Sequence, residues 1–163
     1  MNVAIDSNIL LRSIHHQNPH QPIVKAALET LAKRNETLCL FPQMLSEFWT
    51  VATRPMKMNG LGLSAIEAYS ELIRIKSLFQ LFPDSPAVLP EWEKIVVQKL
   101  VLGKNGHDAR IVAAMNVHGS THLLTCNRDD FKRFSSITAL LPDEVYSPVK
   151  TENQDARAKK IER

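Results

Sequence analysis

The stretch "MNVAIDSNILL" (residues 1–11) contains the residue on which the reading of the chain turns. Val3, Ala4 and Ile5 form an apolar run of the kind that makes a buried strand, and Ile9, Leu10 and Leu11 are apolar again. Asp6 stands between the two runs. Burying an unpaired charge there is costly. Asp6 is therefore either an unusual cap or one of several carboxylates gathered at one place and held by a cation.

Beyond this stretch, short apolar runs alternate with longer amphipathic ones, the pattern of βα units around a parallel sheet. The pattern predicts strands at 2–5, 38–41, 78–82, 122–125 and 138–141, and helices at 21–34, 43–53, 64–77, 87–102 and 107–118. Breakers agree with these limits: Pro42 and Pro83 follow strands, while Pro55, Gly103 and Gly119 follow helices. Ser64 with Glu67 fits a capping box opening the third of these helices. The expected fold is α/β, a single domain with a parallel sheet of about five strands and helices on both faces.

At 163 residues, with 44% hydrophobic and 23% charged residues, the chain has the size and composition of one globular domain. No apolar run approaches the roughly 20 residues that cross a bilayer, so no membrane partner is expected. The N-terminus lacks a basic leader followed by an apolar stretch and a small-residue cleavage site, so no export signal is expected. Two cysteines, Cys39 and Cys126, form no disulfide framework and suit a reducing cytoplasm. A pI near 9.0 invites a nucleic-acid partner. However, the segment "KTENQDARAKKIER" (150–163) carries five Lys/Arg against three Asp/Glu, leaving residues 1–149 with a net charge of only +1. The division that follows is a body at 1–147 and a basic, flexible tail at 148–163.

The acids of the body fall in a pattern. Ligands of open parallel sheets bind beyond the carboxyl ends of the strands, and Asp6 lies one residue past the first strand. In "PQMLSEFWTVATRP" (42–55), Met44, Phe48, Val51 and Ala52 form a helical inward stripe, and Glu47 falls within it. In "GKNGHDARIVAAMNVHG" (103–119), Asp108 opens a helix, where the dipole favours negative charge, and also begins that helix's buried face. In "HLLTCNRDDFKRF" (122–134), a strand ends at Thr125 and is followed by Asn127, Asp129 and Asp130. Each acid alone has an ordinary structural explanation as a cap, a turn residue or a solvated margin. Together they converge on one edge of the sheet. Like charges about 4 Å apart repel by around 4 kcal/mol at an effective dielectric near 20, so such a cluster needs a cation or binds protons. Oxygen ligands without Cys suit Mg²⁺ or Mn²⁺, ions that act on phosphate oxygens and activate water.

The motifs "VAIDSNILL", "SEFWTVATRP", "HDARIVAAM" and "LLTCNRDDF" together resemble the PIN-domain (PilT N-terminal) nucleases, in particular the ribonuclease toxins of VapBC-type toxin–antitoxin pairs, from residue 2 to about residue 142. The resemblance implies a PIN-like fold, Mg²⁺- or Mn²⁺-dependent cleavage of single-stranded RNA, a homodimer, and inhibition by a small antitoxin. Carried over by position, Asp6, Glu47, Asp108 and Asp130 are the catalytic and metal-binding acids, and Asn8, Thr125 and Asn127 support them. Asn127 departs from the Asp found in many relatives, which removes one negative charge from the site. That departure motivates an alternative: a catalytically weak or inactive PIN-like module that binds RNA or protein. Between Asp129 and Asp130, the register of the "DF" pair, Asp130 with Phe131, favours Asp130.

Other readings are weaker. His107–Asp108 resembles the dyad of HD-type phosphohydrolases, but those are helical and need further helix-borne ligands. Asp6, Thr125 and the Asp129–Asp130 pair resemble the order in haloacid dehalogenase-type phosphatases. That chemistry needs a second Asp where this chain has Asn8. His15, His16 and His20 read as surface residues in a loop, and Trp49 and Trp92 as packing residues. Arg12, Arg54, Lys57, Arg110 and Arg128 fall near the acidic edge, as phosphate contacts or as solvated surface.

Overall fold

A computed structural model describes residues 1–146. The expected tail at 148–163 lies outside the described residues. The first strand, β1 (Asn2–Ile5), forms where the opening apolar run predicts it, with Val3, Ala4 and Ile5 fully buried. It is the middle strand of the sheet. It pairs in parallel with β2 (Thr37–Leu40) on one side and β4 (His122–Leu124) on the other. Beyond β2 lies the two-residue β3 (Gln80–Leu81), and beyond β4 lies β5 (Thr138–Leu140), both parallel to their neighbours. The five-stranded order is β3-β2-β1-β4-β5. The expectation of an α/β protein with a parallel sheet is met.

Helices connect the strands: α1 (Ser7–Ile14), α2 (Gln21–Lys33), α3 (Pro42–Thr53), α4 (Ala65–Leu78), α5 (Val88–Gln98), α6 (Asn105–His118), α7 (Arg128–Phe131) and α8 (Pro142–Val145). With the right-handed crossovers usual for parallel strands, the chain passes to the other face when it returns from β3 to β4. Packing follows that division: α1 lies against α2 and α3, and α5 against α6. Strand order reverses at β1, so β1 and β4 flank the switch point where ligands of open α/β sheets bind.

Local signals set several helix limits. Pro42 occupies the first turn of α3, where its missing N–H costs nothing. Ser64 and Glu67 form the expected capping box: the Glu67 N–H donates to Ser64 Oγ and the Ser64 N–H to Glu67 Oε2. α6 ends where Gly119 takes a left-handed φ of 68°.

The structure corrects the sequence reading in three places. Residues 7–14 form a helix that the reading did not contain. Ile9 and Leu10 are its buried face, and His15 is its C-cap rather than part of a long loop. The helix expected over 87–102 stops at Gln98, because Leu100 takes a positive φ of 49° that no helix continues through. The Asp129–Asp130 turn is a single helical turn, α7.

Candidate metal-binding acidic site

The question raised by Asp6 has a structural answer. Asp6 holds the N-cap position of α1, and its carbonyl oxygen accepts from the Ile9 and Leu10 N–H groups, but its side chain does not cap the helix. The carboxylate instead turns toward the switch point. Thr125 Oγ1 donates to Asp6 Oδ2 at 2.6 Å, and Asn8 Nδ2 donates to the same oxygen at 2.8 Å. Oδ1 meets only the Ser7 hydroxyl, at 3.3 Å, among the described residues. Asp6 is 6% exposed, and burial pushes its pKa up against the opposing pull of these donors.

The supporting residues form a closed set. Asn8 Nδ2 also approaches Thr125 Oγ1 at 3.2 Å, and Asn8 Oδ1 accepts the Cys126 N–H. Thr125 Oγ1 accepts the Asn127 N–H at 3.0 Å while donating to Asp6. Asn127 thus acts through its backbone. Its exposed side chain makes no hydrogen bond among the described residues.

Glu47 lies half-buried on α3, as its place in the inward stripe predicts. Ser7 Oγ reaches Glu47 Oε2 at 3.1 Å, so one serine hydroxyl lies between the Asp6 and Glu47 carboxylates. Its single proton can serve only one of them at a time. Gln43 Nε2 donates to the other Glu47 oxygen at 2.7 Å. Neither Gln43 nor Ser7 is singled out by the sequence reading. The four-residue spacing of Gln43 and Glu47 on one helix was the available signal.

Asp108 opens α6 with its carboxylate half-buried and without a hydrogen-bond or ion-pair partner among the described residues. Its pKa is pushed up to about 6, first by burial, then by the negative charges of Asp130, Asp6 and Glu47. Asp108 thus feels the charge of all three other acids, and Asp6 that of Glu47, while Asp130 itself is exposed on α7. Asp129 is not among them. It faces solvent and pairs with Lys132.

Two cations near this edge are engaged elsewhere. Arg110 pairs with Asp84, and Arg128 with Glu144, while Arg128 also donates to the Ala139 carbonyl. Among the described residues no ion pair reaches Asp6, Glu47, Asp108 or Asp130. The donor set is all oxygen and makes no ion pair, with His107 alone easing the charge on Asp108, which fits a hard divalent cation. The side chains are not drawn into a closed shell, however. Among the described residues no three His, Cys, Asp or Glu groups stand together as a metal-holding set.

The remaining assignments hold no surprise. Trp49 and Trp92 pack against the core, and the Trp92 indole N–H donates to the Gly106 carbonyl at 2.9 Å. His16 and His20 are exposed.

Solved structures share this architecture. A chain of VapBC2 from Rickettsia felis, in a crystal structure bound to a DNA fragment from its promoter, superposes with a TM-score of 0.66 at 22% identity, covering 86% of this chain and 98% of that one. DNA-bound VapBC from Salmonella typhimurium gives 0.65 at 14% identity, covering 87% and 98%. VapC20 from Mycobacterium tuberculosis, described as a Sarcin-Ricin loop cleaving toxin, gives 0.53 at 15% identity, covering 74% and 86%. No protein-family model matches the chain, and no curated protein matches it in sequence. The likenesses establish the fold as the PIN-like fold of VapC toxins.

Proposed function

We propose that this protein is a divalent-metal-dependent endoribonuclease acting on single-stranded RNA, and the toxin of a VapBC-type pair. The observation that carries the reading is the acidic site: Asp108 on α6 feels the negative charges of Asp130 on α7, Asp6 at the end of β1 and Glu47 on α3, and among the described residues no ion pair reaches any of the four. Support also comes from the fold, shared with a toxin described as cleaving the Sarcin-Ricin loop.

Asp6 and Asp108 would hold Mg²⁺ or Mn²⁺, with Glu47 and Asp130 completing the set. Such an ion supplies positive charge to phosphate oxygens and makes water a better nucleophile. The chain's own contribution is orientation and charge. Thr125 and Asn8 fix one oxygen of Asp6, which leaves the other, held only by the long Ser7 contact, turned to a ligand. Ser7 and Gln43 hold Glu47 through neutral donors. Asp108, with its pKa near 6, is mostly ionised at neutral pH and ready to bind a cation.

The partners in this reading are the RNA substrate, a small antitoxin and a second copy of the chain. Exposed Ile66, Tyr69 and Ile73 on α4 supply apolar surface of the kind that partner chains cover. The reading includes a cytoplasmic location, with Cys39 and Cys126 as free thiols. Among the described residues no helix is long and apolar enough to cross a membrane.

The test is incubation of purified protein with single-stranded RNA in Mg²⁺, Mn²⁺ or EDTA. Cleavage should require metal and vanish in Asp6→Ala and Asp108→Ala. Survival of cutting in both variants would refute the assignment. A second reading, a binding module that does not cut, is favoured by the open arrangement of the acids and by Asn127 standing where a carboxylate is common. RNA binding without Mn²⁺ binding at millimolar metal would select it.

A further inference from the structure

Gln43 links three parts of the acidic site through one side chain. Its Nε2 donates one hydrogen to Glu47 Oε1 at 2.7 Å and the other to the His107 carbonyl at 2.9 Å. Its Oε1 accepts from Arg110 Nη1 at 3.1 Å. The reversed amide would face a carboxylate and a carbonyl with its oxygen and a guanidinium with its NH₂, so the chemistry permits only this orientation. Arg110 stands two residues after Asp108 on α6, and its Nη2 points to the exposed Asp84 at 3.4 Å.

The consequence is electrostatic. A guanidinium–carboxylate bond is roughly twice as strong as a neutral hydrogen bond, so a free Arg110 would favour Glu47 over an amide oxygen. Gln43 stands between them. It offers Glu47 a neutral donor and gives Arg110 a neutral acceptor, and Asp84 holds the rest of the guanidinium away from the cluster.

We propose that Gln43 is a positioning residue that keeps Arg110 off Glu47, so that the acid cluster keeps the negative charge a divalent cation requires. The proposal rests on the metal-dependent reading above and adds to it the residue that keeps the site unneutralised. In its absence, Arg110 becomes a built-in competitor for the cation.

Two measurements test it. In calorimetric titration with Mn²⁺, Gln43→Ala should weaken binding about tenfold, because a charged hydrogen bond from Arg110 to Glu47 would have to break before the cation binds. Arg110→Ala should bind no more weakly than the parent, and the double variant Q43A/R110A should recover parental affinity. A double variant as weak as Q43A would overturn the proposal, because loss of Glu47 orientation alone would then explain the effect. The second measurement is a crystal structure of metal-free Q43A. Arg110 bonded to Glu47 supports the proposal, and Arg110 remaining on Asp84 away from Glu47 overturns it. That structure decides the role of Gln43 even if the parent protein binds no Mn²⁺, a result that would refute the metal reading by itself.

Discussion

Thr125 and Asp6, separated by 119 positions in sequence, share a 2.6 Å hydrogen bond between the ends of β4 and β1. The bond crosses the point where strand order reverses, and both partners are buried. It is the local reason a carboxylate can stand at the edge of the core. The hydroxyl satisfies one oxygen and leaves the other with only the long Ser7 contact.

Thr125→Val keeps the shape of the side chain and removes the hydroxyl, leaving Asp6 short of a donor and the Asn127 N–H short of an acceptor. The expected loss is about 1–3 kcal/mol of stability, the cost of unsatisfied buried polar groups. Urea unfolding measures it, with Thr125→Ser retaining most of the stability. A valine variant as stable as the parent would show that the bond contributes nothing.

Asp108 predicts a pH dependence with a definite sign. Its folded pKa, about 6, lies above its ordinary 3.8, so the native state binds more protons than the unfolded state between those values. Its contribution to stability is therefore greatest at low pH and is lost as pH rises through about 6. Metal-free Asp108→Asn should melt at a higher temperature than the parent near pH 7, with the gap narrower at pH 5 and closing only as pH falls below the ordinary 3.8. Thermal melts in EDTA at the two pH values check this. A gap that widens on acidification would contradict the account.

The two adjacent aspartates of α7 should behave differently. Asp129 is paired with Lys132 in solvent, whereas Asp130 bears on Asp108. Asp130→Asn should lower the pKa of Asp108 and abolish most RNA cleavage, and Asp129→Asn should leave both unchanged. NMR titration of the Asp108 carboxyl, alongside the cleavage assay, separates the two residues.

Asn127→Asp restores a negative charge at the edge of the site. Affinity in oxygen-ligand sites rises with ligand charge, so Mn²⁺ should bind several-fold more tightly. An unchanged affinity by calorimetry would mean that residue 127 acts only through its backbone.

Much of this was legible in the chain because the decisive signals are local. Val3–Ile5 followed by Asp6 marks a buried strand and its end, and Pro42 and the Ser64–Glu67 pair mark helix starts by their own chemistry. Asp6, Glu47 and Asp108 could be grouped because strand ends and the helices that follow them share one edge. The helix Ser7–Ile14 was not legible: eight residues give too little periodicity, and Asp6 does not cap it. The early end of α5 was hidden because Val101 and Leu102 continue the apolar pattern past a left-handed Leu100. Ser7 and Gln43 act through contacts across elements, Ser7 to Glu47 and Gln43 to His107 and Arg110, which spacing along one element does not encode.

The most direct test of the account is to count bound Mn²⁺ by electron paramagnetic resonance in the parent protein and in Asp6→Asn, Glu47→Gln, Asp108→Asn and Asp130→Asn. The account predicts binding in the parent and a loss of at least about tenfold in affinity in each variant, as expected when one member of a shared carboxylate site is removed. A parent that binds no Mn²⁺ at millimolar concentration, or binding indifferent to all four substitutions, would contradict it.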